Sequence, residues 1–257
     1  MSERFRFDVD GEHLTAIAYP AVKPLGSTLL LGHGASAGQH DRFILDYATG
    51  LAEHGVLVVT YDFPFMAHKK SSPDRFEVLE ACCRAAIVAA RQCRPKNKLF
   101  IGGKSLGGRV ASEVAAAGGE EADDVAGLVV LGYPLHPIGK PGASRARHLG
   151  DLRVPALFVQ GTRDAFGTSD ELREVLGALP KGSEIYAVDG GDHSFTVGKQ
   201  SPLTQDEVHA GIQEEIARWI SEVASAPKAT ARASSRPRPV ASRVRAQLRT
   251  LRRTVGP

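Results

Sequence analysis

Residues 103–107 read GKSLG and match G-x-S-x-G, the pattern of a nucleophile elbow. In such an elbow the serine, here Ser105, stands at a sharp turn between a strand and a helix, and the flanking residues must be small. The apolar run at 99–101 and the small residues after the turn predict that context. Because a serine hydroxyl is a weak nucleophile, the chemistry also needs a base, a group that orients the base, and donors for an oxyanion.

His193 is the predicted base. The chain order serine, acid, histidine accompanies this elbow, and His193 and His209 are the histidines that follow the last plausible acid. His209 falls inside the predicted last helix, where we expect a surface position. His193 follows a predicted strand instead, in a loop from which an imidazole can reach the hydroxyl of Ser105.

Asp164 is the predicted orienting acid. It ends the sequence GTRD at 161–164, just past the carboxyl end of a predicted strand. Some enzymes with this elbow place the acid one strand earlier, but residues 133–150 contain no Asp or Glu. Asp192 is adjacent to His193, and we expect its carboxylate to stabilise its own loop.

Two main-chain N–H groups are predicted to bind the oxyanion. One belongs to Leu106, the residue after the nucleophile. The other belongs to Ala35, in the loop that follows the first predicted parallel strand. His33 lies in the same loop, and we expect it to shape the turn.

Lys104, Phe63 and His136 are the side chains predicted to contact a substrate. Lys104 flanks the nucleophile, and His136 lies in an insert at 133–153 that is rich in basic residues. One hypothesis is that this basic rim selects an acyl substrate with a carboxylate or phosphate. A solvated surface loop is the favoured alternative. No spacing of His, Cys, Asp or Glu indicates a metal site, and no cofactor is expected.

Two phosphate-binding motifs match in part and are disfavoured. The residues GKS at 103–105 resemble the end of a phosphate loop, but Lys98 stands where that loop requires glycine. The residues GHGASA at 32–37 fit the dinucleotide pattern G-x-G-x-x-A, and Asp62 ends the next strand. A dinucleotide site needs a helix that begins at those glycines, whereas the predicted helix begins near Asp41.

Strands alternate with helices along the chain, and this rhythm predicts the sheet that positions these residues. Continuous apolar strands such as 28–32 and 125–131 indicate parallel strands covered on both faces. Residues 4–19, with a turn at Asp10-Gly11, predict an N-terminal antiparallel hairpin. We expect an α/β domain over 1–225, with a mainly parallel twisted sheet of about eight strands, helices on both faces and a minimal cap.

Capping residues predict where three helices begin. Two T-x-x-E capping boxes stand at 168–171 and 204–207, before predicted helices. Ser72 followed by Pro73 predicts the start of a long helix that ends near Cys93.

The composition is that of a globular protein, with 42% hydrophobic and 24% charged residues among 257. Three cysteines, at 82, 83 and 93, fall in one predicted helix, an odd and clustered set that suits a reducing cytosol. The N-terminus shows no apolar segment typical of a signal peptide, and no apolar run approaches the length of a membrane span. The predicted location is therefore the cytoplasm.

The C-terminal tail differs from the rest of the chain in charge. Residues 227–257 hold nine basic and no acidic residues, which leaves 23 basic against 29 acidic residues in 1–226. The composition of 226–257 predicts a solvated, disordered extension. An apolar stripe from Val240 to Val255 makes a basic amphipathic helix the alternative. One hypothesis is that this tail contacts an acidic surface, and no specific nucleic acid is predicted.

Short motifs spread over residues 14–224 resemble the α/β-hydrolase superfamily, near dienelactone hydrolase. They are HGA at 33–35, GKSLGG at 103–108, GTRD at 161–164 and GGDH at 190–193. YDFPF at 61–65 and GYPLHP at 132–137 narrow the resemblance to the α/β-hydrolase-like family of the NSL-complex regulatory subunit 3 and its testis-expressed relative.

The resemblance implies a serine hydrolase that acts on a small acyl substrate. Ser105, Asp164 and His193 match the family's serine, aspartate and histidine. In this family a proline commonly follows the acid, and here the residue is Ala165. Some members of such families bind without turnover. The alternative is therefore a non-catalytic scaffold that uses its basic tail.

Overall fold

A mainly parallel sheet of eight strands runs through the described residues, which are 2–142, 144–177 and 179–226 of the computed structural model. The strands are β1 (Glu3–Val9), β2 (Glu12–Tyr19), β3 (Ser27–Gly32), β4 (Leu57–Tyr61), β5 (Lys98–Lys104), β6 (Val125–Leu131), β7 (Ala156–Gly161) and β8 (Glu184–Val188). Their order in the sheet is β1-β2-β4-β3-β5-β6-β7-β8. The pairs β1–β2 and β2–β4 are antiparallel, and the other pairs are parallel. The predicted sheet and its N-terminal hairpin are confirmed.

Helices connect the parallel strands and cover both faces of the sheet. They are α1 (Arg42–Glu53), α2 (Pro64–Ala67), α3 (Phe76–Cys93), α4 (Leu106–Ala117), α5 (Ser169–Leu176) and α6 (Gln205–Ser225), with a 3₁₀ turn at Arg147–Asp151. α3, α4 and α5 pack on one hydrophobic core, and α1 and α6 pack on the other. β3 serves both cores, because Leu30 faces the first and its neighbours Leu29 and Leu31 face the second.

The helix starts agree with the sequence except around α3. Both predicted capping boxes, at 168–171 and 204–207, are present. α3 begins at Phe76 and not at Pro73, because the backbone stays non-helical through Arg75, which is the N-cap residue at φ −58° and ψ 151°. The short helix α2, which begins with proline at its first position, was not predicted.

The carboxyl ends of the parallel strands open on one edge of the sheet. β3 has β4 and β5 as its two neighbours, so the chain runs to one side of β3 and then to the other. Loops that follow the strands at such a switch point form the usual ligand crevice of an open α/β sheet. The loops after β3, β5, β7 and β8 carry His33, Ser105, Asp164 and His193 respectively. The fold therefore delivers all four residues to this edge.

The expectation of a disordered or helical basic tail concerns residues 227–257, which lie outside the described residues. In the part of the chain that is described, no helix has the length and apolar character needed to cross a membrane.

Candidate active site

Ser105 occupies a strained turn between β5 and α4. Its backbone angles are φ 51° and ψ −110°, a left-handed conformation that is costly for a residue other than glycine. The turn also brings backbones close together, because a Cβ on Gly107 would lie 2.5 Å from the carbonyl carbon of Gly32. A Cβ on Gly103 would lie 2.5 Å from the Gly32 oxygen. These approaches explain why both flanking positions of the elbow are glycine.

His193 connects Asp164 to Ser105. Its Nδ1 lies 2.7 Å from Oδ2 of Asp164, and its Nε2 lies 2.9 Å from Oγ of Ser105. An ionised carboxylate can only accept, so Nδ1 carries the proton and Nε2 accepts the hydrogen bond from the serine hydroxyl. The Asp164 side chain is fully buried, whereas 21% of the His193 side chain is exposed. The structure thus brings the three predicted residues into one hydrogen-bonded chain.

Gln160, near the end of β7, fixes the carboxylate of Asp164. Its Nε2 donates to Oδ2 of Asp164 at 2.9 Å and to the Gly167 carbonyl at 2.6 Å. Its Oε1 accepts from the Tyr133 N–H at 2.7 Å. The other Asp164 oxygen accepts from the Phe166 N–H at 2.8 Å. Sequence analysis did not select Gln160, although a polar residue near the end of an apolar strand could have indicated it.

The loop that carries His193 is held by its own side chains. Oδ1 of Asp192 accepts from the N–H groups of Ser194 and Thr196, at 2.8 and 2.9 Å, in agreement with its expected loop-stabilising role. Phe195 adopts a φ of 65° and is fully buried. A buried aromatic residue in a left-handed conformation indicates that the surrounding packing, and not local preference, determines this backbone.

His33 and Asp62 shape the loop after β3. Nδ1 of His33 donates to the Gly34 carbonyl at 2.7 Å, and Nε2 accepts from the Phe63 N–H at 3.0 Å. Burial lowers the pKa of His33, so the imidazole is neutral and links two loops, as expected for a structural histidine. The Asp62 carboxylate accepts from the Gln39 N–H at 2.7 Å and from its side-chain amide at 2.9 Å.

This loop borders the nucleophile. A Cβ on Gly34 would lie 3.9 Å from Cβ of Ser105, and Ala35 is the next residue. Leu106 opens α4 directly after Ser105, where the first N–H groups of a helix have no intrahelical acceptor. The segments that contain the two predicted oxyanion donors therefore both adjoin Ser105.

Lys104 does not lie on a substrate rim, because its side chain is buried. Nζ donates to the main-chain carbonyl of His193 at 2.5 Å, and 8% of the residue is exposed. Burial lowers the pKa of this lysine to about 8, and the carboxylates of Asp164 and Asp192 partly oppose that effect.

Phe63 and His136, the other predicted substrate contacts, are also buried. The Phe63 ring packs edge-on against His33, with 4.9 Å between ring centroids. The His136 ring is buried, and its Nε2 lies 3.4 Å from a Glu171 carboxylate oxygen. Partly exposed side chains beside the three hydrogen-bonded residues are instead Leu106 and Phe166. The Phe166 ring centroid is 4.5 Å from that of His193.

Comparison with known families assigns this fold. Residues 26–221 match the sequence model of a family described as an alpha/beta hydrolase domain. The chain belongs to this α/β-hydrolase family. The match covers the sheet from β3 to β8 and all the residues of the site.

Solved structures share the fold of this α/β-hydrolase at low sequence identity. An α/β serine hydrolase without a lid from Xanthomonas campestris is 20% identical, with a TM-score of 0.67, over 88% of this chain and 96% of that one. A dienelactone hydrolase from Anabaena variabilis is 16% identical, with a TM-score of 0.65, over 86% and 97%. Est1E from Butyrivibrio proteoclasticus, solved with ferulic acid bound, is 16% identical, with a TM-score of 0.65, over 82% and 97%.

The protein contains a second Ser–His–carboxylate arrangement, which joins α4 to the 3₁₀ turn. Oγ of Ser112 lies 2.7 Å from Nε2 of His148, and Nδ1 of His148 lies 3.1 Å from a Glu113 oxygen. Ser112 is fully buried, and its hydroxyl donates to the Arg109 carbonyl at 2.7 Å. Because that hydroxyl is inaccessible and engaged with a carbonyl, the cluster fastens the insert to α4 and presents no nucleophile.

The described part of the chain offers neither a reactive thiolate at Cys82 or Cys83 nor a metal cluster. Burial raises the pKa of the Cys83 thiol to about 11 and that of Cys82 further still, so neither supplies a thiolate near neutral pH. Within residues 2–142, 144–177 and 179–226, no three His, Cys, Asp or Glu side chains are grouped so that they could hold a metal ion.

Proposed function

We propose that this α/β-hydrolase is a serine hydrolase that cleaves an ester, thioester or related acyl bond of a small substrate. The observation that carries the proposal is the continuous hydrogen-bonded chain from Asp164 through His193 to Ser105. The serine at its end is only partly buried, so a substrate carbonyl can reach Oγ.

In the first step, Oγ of Ser105 attacks the carbonyl carbon and its proton passes to Nε2 of His193. The buried carboxylate of Asp164 stabilises the imidazolium and keeps Nδ1 protonated. The carbonyl oxygen becomes an oxyanion, which accepts from the N–H groups of Leu106 and Ala35. Each such donor typically contributes about 2.7–4 kcal/mol to transition-state stabilisation.

The intermediate then collapses to an acyl-enzyme. The bond to the leaving group breaks, and the imidazolium of His193 gives its proton to the departing oxygen or sulfur. Water attacks the acyl group in the second half, with Nε2 as the base. The free acid leaves, and the hydroxyl of Ser105 regains a proton.

The subtype of the enzyme, its subfamily and its location in the cell are also proposals. The dienelactone hydrolase and an esterase domain among the structural neighbours support a carboxylesterase or dienelactone-hydrolase-like subtype. The motifs at 61–65 and 132–137 support placement near the NSL-complex regulatory subunit 3 family. The free thiols Cys82, Cys83 and Cys93 support a cytoplasmic location.

Labelling with a fluorophosphonate probe tests the proposed function. The intact protein should be labelled, and Ser105→Ala should not be. Ser112→Ala is the matched control, because it removes a serine that also contacts a histidine but is buried. This control should be labelled as well as the intact protein.

Two outcomes would reject the proposal. Labelling that persists in Ser105→Ala would place the nucleophile elsewhere. Absence of both labelling and turnover of 4-nitrophenyl acetate by the intact protein would favour the non-catalytic scaffold, with the basic tail as its interaction segment.

A further inference from the structure

Lys104 is a buried cation that the proposed reaction does not use. Its Nζ lies 5.6 Å from the centroid of the Phe43 ring and 5.9 Å from that of Phe195. Among the described residues, its one hydrogen-bond partner is the carbonyl of His193. Burying an ammonium without a paired carboxylate costs free energy. A methionine could fill the same space without that cost, so packing alone does not account for a lysine here.

The carbonyl that accepts the hydrogen bond from Lys104 belongs to His193, whose ring must stay between Asp164 and Ser105. The other contacts that order this loop involve Asp192 and the residues after His193. Gly132, the residue after β6, leaves room for this contact because it has no side chain. A Cβ there would lie 2.8 Å from the His193 oxygen and 3.0 Å from Nζ of Lys104. The ammonium therefore acts on the main chain of His193 at a point that no other described side chain holds.

We propose that Lys104 is a positioning residue: its ammonium fixes the main chain of His193 and so keeps the imidazole aligned with the hydroxyl of Ser105. This inference rests on the proposed function of the site. It differs from the rim hypothesis, in which Lys104 would touch an anionic substrate. A small displacement of a base, on the order of 1 Å, can reduce a rate about 100-fold.

Steady-state kinetics with two esters separate positioning from substrate contact. The probes are 4-nitrophenyl acetate, which is neutral, and the mono-4-nitrophenyl ester of succinic acid, which carries a carboxylate. The variants are Lys104→Met, which keeps the stem and removes the donor, and Lys104→Gln, whose shorter amide cannot span the same gap. Lys98→Met is the matched control, because Lys98 also donates to a main-chain carbonyl, that of Ala224, from the other end of β5.

Both Lys104 variants should lower kcat about 10- to 100-fold for both esters and leave KM within about two-fold. Lys98→Met should change neither constant. A kcat for both Lys104 variants equal to that of Lys98→Met would overturn the proposal. A rise in KM confined to the carboxylated ester would overturn it too, because Lys104 would then contact the substrate.

Proton NMR tests the positioning without turnover, so that a failure of the proposed function does not obscure the result. The Nδ1 proton shared with Asp164 should give a low-field resonance, which His193→Gln identifies by its loss. This resonance should persist in Lys98→Met and broaden or disappear in folded Lys104→Met or Lys104→Gln. An unchanged resonance in folded Lys104 variants would refute the positioning role even if no ester is hydrolysed.

Discussion

Replacing Ser105 by glycine should stabilise the protein relative to replacing it by alanine. Both substitutions remove the hydroxyl and its hydrogen bond to His193, so their difference isolates the backbone. At φ 51° and ψ −110°, alanine keeps the strain of the elbow, whereas glycine adopts this conformation without a Cβ clash.

The magnitude follows from two opposing terms. Relief of backbone strain should stabilise glycine by about 1–3 kcal/mol. The greater flexibility of glycine in the unfolded chain should cost about 0.4–1 kcal/mol. The net expectation is that Ser105→Gly exceeds Ser105→Ala in the free energy of unfolding by about 1 kcal/mol. In a domain of this size that difference corresponds to about 2–4 °C in Tm.

Urea unfolding followed by circular dichroism measures the difference. Ala210→Gly is the control, because Ala210 is exposed in the second turn of α6, where glycine has only its entropic cost. That control should lose about 0.5–1 kcal/mol. If Ser105→Gly proved no more stable than Ser105→Ala, the backbone of the elbow would not store strain.

Three further predictions concern ionisable groups. Asp164→Asn should reduce kcat about 10⁴-fold, because an amide can stabilise the wrong tautomer of His193. Pre-steady-state and steady-state ester hydrolysis would measure the loss. A loss under ten-fold would argue against this role for Asp164. Burial lowers the pKa of Lys104 from its ordinary 10.5 to about 8 in the folded protein. Between these two pH values the unfolded chain binds more protons than the folded protein. The buried ammonium therefore lowers the free energy of unfolding most below about pH 8. In urea titrations, the stability of Lys104→Met relative to the intact protein should therefore be highest below pH 8 and decline as the pH rises towards 10; a constant difference would contradict this. Burial and the Arg109 guanidinium lower the pKa of His148 to about 4, so the protein should lose stability as the pH falls from about 6.5 towards 4. His148→Asn should flatten that loss in the same titrations, and an unchanged slope would show that other groups cause it.

The fold was predictable because its signals are local. Continuous apolar runs identify buried parallel strands, and T-x-x-E sequences mark two helix starts, each within a few residues. The start of α3 was not predictable in the same way. Ser72 and Pro73 satisfy the rule for a helix start, but the N-cap residue is Arg75, which makes no side-chain capping hydrogen bond and is not a residue type that marks a helix start.

The candidate site was likewise predictable where local signals sufficed and not where distant residues decide the environment. Ser105, Asp164 and His193 follow strand ends, so topology alone brings them to one edge of the sheet. The environments of Lys104, Phe63 and His136 depend on side chains that are distant in sequence. The Lys104 ammonium meets a carbonyl 89 positions away. The charge and aromatic character of these three residues predicted substrate contacts, but the sequence does not show that their side chains are buried.

Lys104 and Ser105 are consecutive residues, and this adjacency gives the elbow a mechanical property. Their Cα atoms are about 3.8 Å apart through a rigid peptide unit. The side chain of Ser105 contacts the His193 ring, and that of Lys104 donates to the His193 main chain. We therefore expect a displacement of the end of β5 to move the Ser105 hydroxyl and the main chain of His193 together. On that expectation, the distance between Oγ and Nε2 varies less than the position of either group, although the two residues lie 88 positions apart in the chain.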